Sequence, residues 1–267
     1  METVTTIKKE VKNMIKTKID WCDSTWNPVT GCLHGCEYCY ARKIAERFSP
    51  FDLPHLTENG VFKQLNDLKD PIITVCKDGK ERICVYPYGF EPTFHRYRLN
   101  DYIDKKCRNI FVCSMADLFG EWVPDSWITE VFNACDKAPQ HNYLFLTKNP
   151  KRYIELAELD KLPQKDNMWY GSTVTTMEEY FSSKKTFNTF LSIEPMLASI
   201  SPLTINNVKW IILGAETGRR KDKVVPKRKW IEDIVSECRK ENISVFMKSS
   251  LADIWGEPLI QEFPKGL

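Results

Sequence analysis

Six short apolar runs between residues 109 and 248 constrain this chain most: Asn109–Ser114 (NIFVCS), Tyr143–Thr147 (YLFLT), Met168–Val174 (MWYGSTV), Thr189–Glu194 (TFLSIE), Lys209–Gly214 (KWIILG) and Ile243–Lys248 (ISVFMK). They are rich in β-branched and aromatic residues and almost continuous in hydrophobicity. Strands buried on both faces in a parallel sheet read this way. Between them lie amphipathic patterns of helical period. Asp125–Ala138 carries Trp127, Ile128, Val131, Phe132 and Cys135 on one face, and Pro150–Leu159 and Lys229–Glu241 follow the same rule. Strand and helix in alternation is the βα signature. Two more runs, Trp26–Thr30 and Ile83–Tyr88, read as strands and bring the count to about eight. The expected fold is α/β: a TIM-like (β/α) barrel, full or partial, with about six to eight parallel strands. The 267 residues suit one such domain over 1–267, with an irregular insertion at about 49–82 that turns near Lys77–Lys80.

Chemistry in such barrels sits at the C-terminal ends of the strands. The polar residues there are Ser114 and Asp117, Thr147 and Lys148, Ser172 and Thr173, Glu194, Glu216 and Thr217, and Lys248. Turn formation alone does not require so many. Ser114 and Ser172 also fit plain helix caps, and Lys148 a solvated loop lysine. Glu194 is less easily dismissed, because a carboxylate closing an apolar strand is rarely buried without a partner.

The chain has ten cysteines. Its N-terminus, METVTTIKKEVKNMIKTK, lacks the apolar run of a secretory signal, and no stretch approaches the roughly 20 apolar residues of a membrane span. The expected setting is cytoplasmic, where disulfides are rare and clustered cysteines indicate metal or catalysis. Cys32, Cys36 and Cys39 form a C-x3-C-x2-C loop. Thiolates are the usual ligands of iron–sulfur clusters, and three of them on one cubane leave one iron open. Zinc is the alternative, but it normally takes four ligands in paired spacings. His34 would have to be the fourth, from inside the loop. A helix with Ala41, Ile44, Ala45 and Phe48 on one face follows. Cys113, Cys135 and Cys238 read as core. Cys76 and Cys84, joined by Cys22 or Cys107, offer a less favoured second cluster.

The net charge is +2, from 38 basic and 36 acidic residues, so global charge does not announce a nucleic-acid binder. The densest basic stretch, Arg219–Lys223 with Lys227–Lys229, is either a solvated loop or a contact for phosphates.

The chain resembles the radical S-adenosylmethionine (SAM) superfamily, and within it a narrower phage-associated group of radical-SAM-like proteins. The resemblance is carried by Trp26–Cys32 (WNPVTGC), Cys39–Ala41, Ser114–Phe119 (SMADLF), Leu146–Pro150 (LTKNP), Ser192–Pro195 (SIEP) and Gly214–Gly218 (GAETG), spread over about residues 19–250. Many members of the narrower group space the first two cysteines more widely. This chain has the common superfamily spacing. The resemblance implies a [4Fe–4S] cluster on Cys32, Cys36 and Cys39, with S-adenosyl-L-methionine bound at the open iron and the aromatic Tyr38 beside it. It also implies reductive cleavage of SAM to a 5′-deoxyadenosyl radical that abstracts hydrogen from a substrate. A reductant such as flavodoxin or ferredoxin would supply the electron. Ser114, Lys148 and Ser172 resemble the SAM contacts of spore photoproduct lyase. The lysine would meet the SAM carboxylate and the serines its ribose. Glu194 or Glu216 would face the cationic groups of SAM or the substrate. The resemblance does not imply the substrate. A nucleic acid or nucleotide is preferred over a peptide, from the phage association and the basic loop. The opposing reading is a non-catalytic, metal-stabilised nucleic-acid-binding module.

Overall fold

The computed structural model describes residues 17–49, 65–75, 78–176, 180–181, 186–200, 205–256 and 258–267. In chain order, β1 (Ser24–Trp26) and β2 (Val29–Thr30) lead through the cysteine loop into α1 (Tyr40–Phe48). Four short strands follow: β3 (Asn66–Leu68), β4 (Ile73–Val75), β5 (Glu81–Ile83) and β6 (Thr93–His95). Then come β7 (Asn109–Val112), α2 (Asp125–Asp136), β8 (Asn142–Thr147), α3 (Pro150–Glu158), β9 (Met168–Thr173) and β10 (Asn188–Ile193). The last elements are β11 (Trp210–Leu213), α4 (Arg228–Lys240), β12 (Ser244–Met247) and the short α5 (Ala252–Trp255).

Seven strands form one sheet in the order β1-β7-β8-β9-β10-β11-β12, with every pairing parallel. Among the described residues β1 and β12 are its edges, so the protein is a partial (β/α) barrel. Successive side chains alternate between the two faces. Ile110, Val112, Tyr143, Phe145 and Tyr170 pack under Trp127, Val131 and Phe132 of α2 and Tyr153 of α3. Ile193, Ile211, Leu213, Val245 and Met247 pack under Ile231, Ile234 and Cys238 of α4. The opposite, concave face carries Phe111, Leu144, Trp169, Phe190, Trp210, Ile212 and Phe246, with Trp21 laid across them. Both faces are therefore apolar, which is why the strands read as continuous runs. A Cβ on Gly171 would lie 2.3 Å from Cζ of Phe190, so this glycine makes room for that ring.

The C-terminal segment covers the N-terminal ends of the strands. Phe263 packs 5.5 Å from the ring of Trp210, the first residue of β11. Glu262 holds Arg239 through both carboxylate oxygens, at 2.7 and 2.8 Å. Asn142, at the start of β8, donates to the carbonyl of Gly266 at 2.9 Å.

Two expected strands differ. Trp26–Thr30 is broken at Asn27-Pro28: β1 joins the large sheet, whereas β2 pairs antiparallel with β6 in a three-stranded sheet, β2-β6-β3. Pro28 has no N–H to continue a ladder. Asn27 instead uses its side-chain oxygen to accept from the Ser114 hydroxyl (3.2 Å) and the Met115 N–H (3.0 Å). Of Ile83–Tyr88 only Ile83 is strand. It ends β5, which pairs with β4 in a hairpin and not with the large sheet. The predicted insertion supplies these small strands, and residues 50–64, 76 and 77 of it lie outside the described residues. Among the described residues, no helix is long and apolar enough to cross a membrane.

Candidate functional site

Because the seven strands are parallel, their C-terminal ends emerge on one side. There they open into a cavity of about 510 Å³, and the cysteine loop forms its other wall. Cys32, Cys36, Tyr38 and Cys39 line it from the loop, and Ser114, Lys148, Glu194 and Glu216 line it from the ends of β7, β8, β10 and β11. These residues, from Cys32 to Glu216, lie far apart in the chain and meet in one place.

Ser172 does not line this cavity. It sits on the same face of β9 as Tyr170, and its Oγ accepts the N–H of Phe181 at 3.0 Å. Its neighbour Thr173, on the concave face, lines the cavity instead, together with Ser192. Ser192 was missed from sequence. Counting by twos along Phe190, Ser192 and Glu194 would have found it. Tyr40 was also missed. It lines the cavity and donates its hydroxyl to the Ser114 carbonyl at 3.0 Å.

The cysteine loop is tied to its surroundings through the backbone. The N–H of Gly31 donates to the carbonyl of Met115 (2.9 Å), and that of Cys32 to the carbonyl of Phe90 (3.2 Å). Gly31 has φ +87°, and a Cβ there would fall 2.2 Å from the Glu91 carbonyl oxygen, so no other residue fits. The Arg42 guanidinium donates to the Cys32 carbonyl at 3.2 Å. Cys39 caps α1, its Sγ accepting the Arg42 N–H at 3.4 Å, so this thiol lies at the positive end of a helix.

All three cysteines are free and half-buried. Burial pushes the Cys32 thiol up to about 12, and the nearby Asp117, Cys36 and Cys39 add to the effect. A thiolate here needs a cation beside it. Among the described residues, no three His, Cys, Asp or Glu side chains converge as they would around a single ion. His34, the candidate fourth zinc ligand, is turned to Asp117. Three thiols on one cavity are the donor set that a cubane cluster with one open iron calls for.

Asp117 is buried and accepts from four residues. Its oxygens take the N–H of Phe119 (3.0 Å), the hydroxyl of Thr147 (2.7 Å), the N–H of Lys148 (2.9 Å) and Nε2–H of His34 (2.7 Å). The ammonium of Lys148 lies 5.3 Å from the ring centre of Tyr38, across the cavity wall from its own strand. Glu194 pairs with Lys248 of β12's end. A Cβ on Gly214 would come within 3.1 Å of Glu194 Cγ and 3.2 Å of Lys248 Cδ, so the glycine leaves space for the pair. Buried Glu216 is clamped by Arg220 at 2.7 and 2.8 Å, which holds its carboxyl below the usual range. Arg220 also reaches Glu37 of the cysteine loop at 3.4 Å.

Much of the basic stretch is therefore internally paired: Arg220 with Glu216, Arg228 with Glu232, and Lys229 with Asp233. For the second cluster, Cys84 is buried, Cys22 half-buried and Cys107 exposed, and Cys76 lies outside the described residues.

Fold and site together define a partial (β/α) barrel with a three-cysteine loop forming one wall of its mouth. Residues 16–259 match a family described as "Protein of unknown function (DUF5131)", and the chain belongs to that family. No curated protein matches the chain. Among solved structures it is similar to a spore photoproduct lyase mutant with a dinucleoside spore photoproduct, at 9% identity and a TM-score of 0.43. The match covers 86% of this chain but 64% of the lyase chain, so the chain spans less than two thirds of that protein.

Proposed function

We propose that this protein is a radical SAM enzyme. The observation that carries the reading is the meeting of Cys32, Cys36 and Cys39 with Ser114, Lys148, Glu194 and Glu216 around one cavity. The three thiolates would hold a [4Fe–4S] cluster and leave its fourth iron for the amino and carboxylate groups of SAM. Once reduced by an external donor, such a cluster would supply the one electron that breaks the C5′–S bond of SAM, giving methionine and a 5′-deoxyadenosyl radical.

The chain's own residues then have distinct tasks. Lys148 offers an ammonium to the SAM carboxylate. The hydroxyls of Ser114, Thr173 and Ser192 serve the ribose. Glu194 and Glu216, held by Lys248 and Arg220, keep lone pairs that accept from the SAM amino group or from the substrate. The aromatic floor of Trp21 and Phe111 keeps water from the reacting atoms. Flavodoxin or ferredoxin is the expected reductant. A nucleic acid or nucleotide is the preferred substrate, supported by the basic stretch Arg219–Lys223, whose Arg220 reaches the cysteine loop at the mouth.

Anaerobic reconstitution with iron and sulfide tests the reading. The protein should turn brown, show [4Fe–4S] absorbance and form 5′-deoxyadenosine from SAM and dithionite. Cys36→Ala should abolish both signals. Reconstituted wild type without that absorbance, holding zinc in air and binding DNA, would establish the metal-stabilised module in its place.

A further inference from the structure

We infer that Asp117 is a positioning residue for the cluster: through His34 it fixes the loop between Cys32 and Cys36, and its buried charge lowers the reduction potential of the group held there. The inference rests on the function proposed above and goes beyond it by assigning residues that are not ligands.

Three observations converge. First, His34 lies inside the C-x3-C segment, yet its Nε2 bonds to Asp117, beyond the C-terminal end of β7, 2.7 Å away. Its ring also stands edge-on to Trp122, with centroids 4.8 Å apart, so it has one orientation. Second, Asp117 is itself immobile. It is 5% exposed and held by the Phe119 N–H, the Thr147 hydroxyl and the Lys148 N–H as well. The loop is thus pinned to the ends of β7 and β8 by a carboxylate already anchored there. Third, the other donors to Asp117 are two backbone N–H groups and a hydroxyl, and the carboxylate lines the same cavity as Cys32 and Cys36. A carboxylate lining the same cavity as Cys32 opposes further negative charge beside it. Adding an electron to a cluster on Cys32 meets the same opposition, and cluster potentials follow nearby charge and hydrogen bonding. One residue thereby links the cysteine loop to Lys148, the expected anchor of SAM.

The test is a set of three variants, reconstituted anaerobically and followed by potentiometric titration and by electron paramagnetic resonance of the reduced cluster. Asp117→Asn removes the charge and should raise the midpoint potential. His34→Phe keeps the ring on Trp122 but loses the hydrogen bond, and should broaden the g-values and speed cluster loss in air. His34→Gln keeps a donor and loses the ring, and should behave as wild type. If Asp117→Asn does not fold, the two His34 variants decide: Phe like wild type and Gln broadened would overturn the inference. A cluster whose potential and g-values none of the variants alters would also overturn it, with the proposed function intact. Wild type that holds no cluster would overturn both.

Discussion

Ser172 and Thr173 are adjacent hydroxyl residues, and the sheet gives them opposite surroundings. Ser172 belongs to the helix side, where its Oγ is the acceptor for the buried N–H of Phe181. Thr173 belongs to the cavity. Nothing in the dipeptide distinguishes them. Only the face set by Trp169 and Phe190 does, because side chains two apart on a strand share a side. Ser172→Ala should therefore cost about 1–3 kcal/mol in urea unfolding, since it strands a buried donor. The same variant should bind SAM as wild type does in calorimetric titration. Weakened SAM binding with unchanged stability would contradict this placement.

At the scale of elements, the small sheet β2-β6-β3 sets the approach to the cysteine loop. Thr30, two residues before Cys32, shares a 2.8 Å hydrogen bond with His95 Nε2 on β6. His95 is completely buried, and burial lowers its pKa from 6.5 to about 2. The sign follows directly. Below pH 6.5 the unfolded chain takes up a proton that the folded protein refuses, so stability falls with acid. The slope approaches about 1.4 kcal/mol per pH unit. His95→Gln removes this term. The stability difference between wild type and variant should shrink by about 2 kcal/mol between pH 7 and pH 5, read from urea midpoints at each pH. A difference independent of pH would show that His95 is protonated in the fold. Neither the pairing of β2 with β6 nor this histidine's burial was legible beforehand, since two- and three-residue strands carry too little periodicity to read.

At the scale of the molecule, the half-barrel has two ends with different duties. The C-terminal ends of the strands bear the polar groups. The N-terminal ends are covered by residues 262–267, with Phe263 on Trp210 and Phe246. Phe263 is 43% exposed, so Phe263→Ala should lose only about 1 kcal/mol of stability in thermal or urea unfolding. The absorbance of the reconstituted protein should stay unchanged, because the tail lies away from the cavity. Loss of that absorbance would show that the two ends are coupled.

The strands, helices and cysteine loop were readable from sequence because each is a local pattern. An apolar run of strand length, a 3.6-residue period and a C-x3-C-x2-C spacing need no knowledge of neighbours. The polar strand ends Ser114, Lys148, Glu194 and Glu216 were readable for the same reason, once a parallel sheet was expected. What the tertiary structure alone decided are the relations between distant segments. The pairs Glu194 with Lys248, His34 with Asp117, and Thr30 with His95 join residues 54, 83 and 65 positions apart. Which of Ser172 and Thr173 faces the cavity, and where Asn27-Pro28 breaks the first strand, depend likewise on register against other strands. Register is a property of the assembled sheet, so a one-residue difference that reverses a side chain's face leaves no trace in the local sequence.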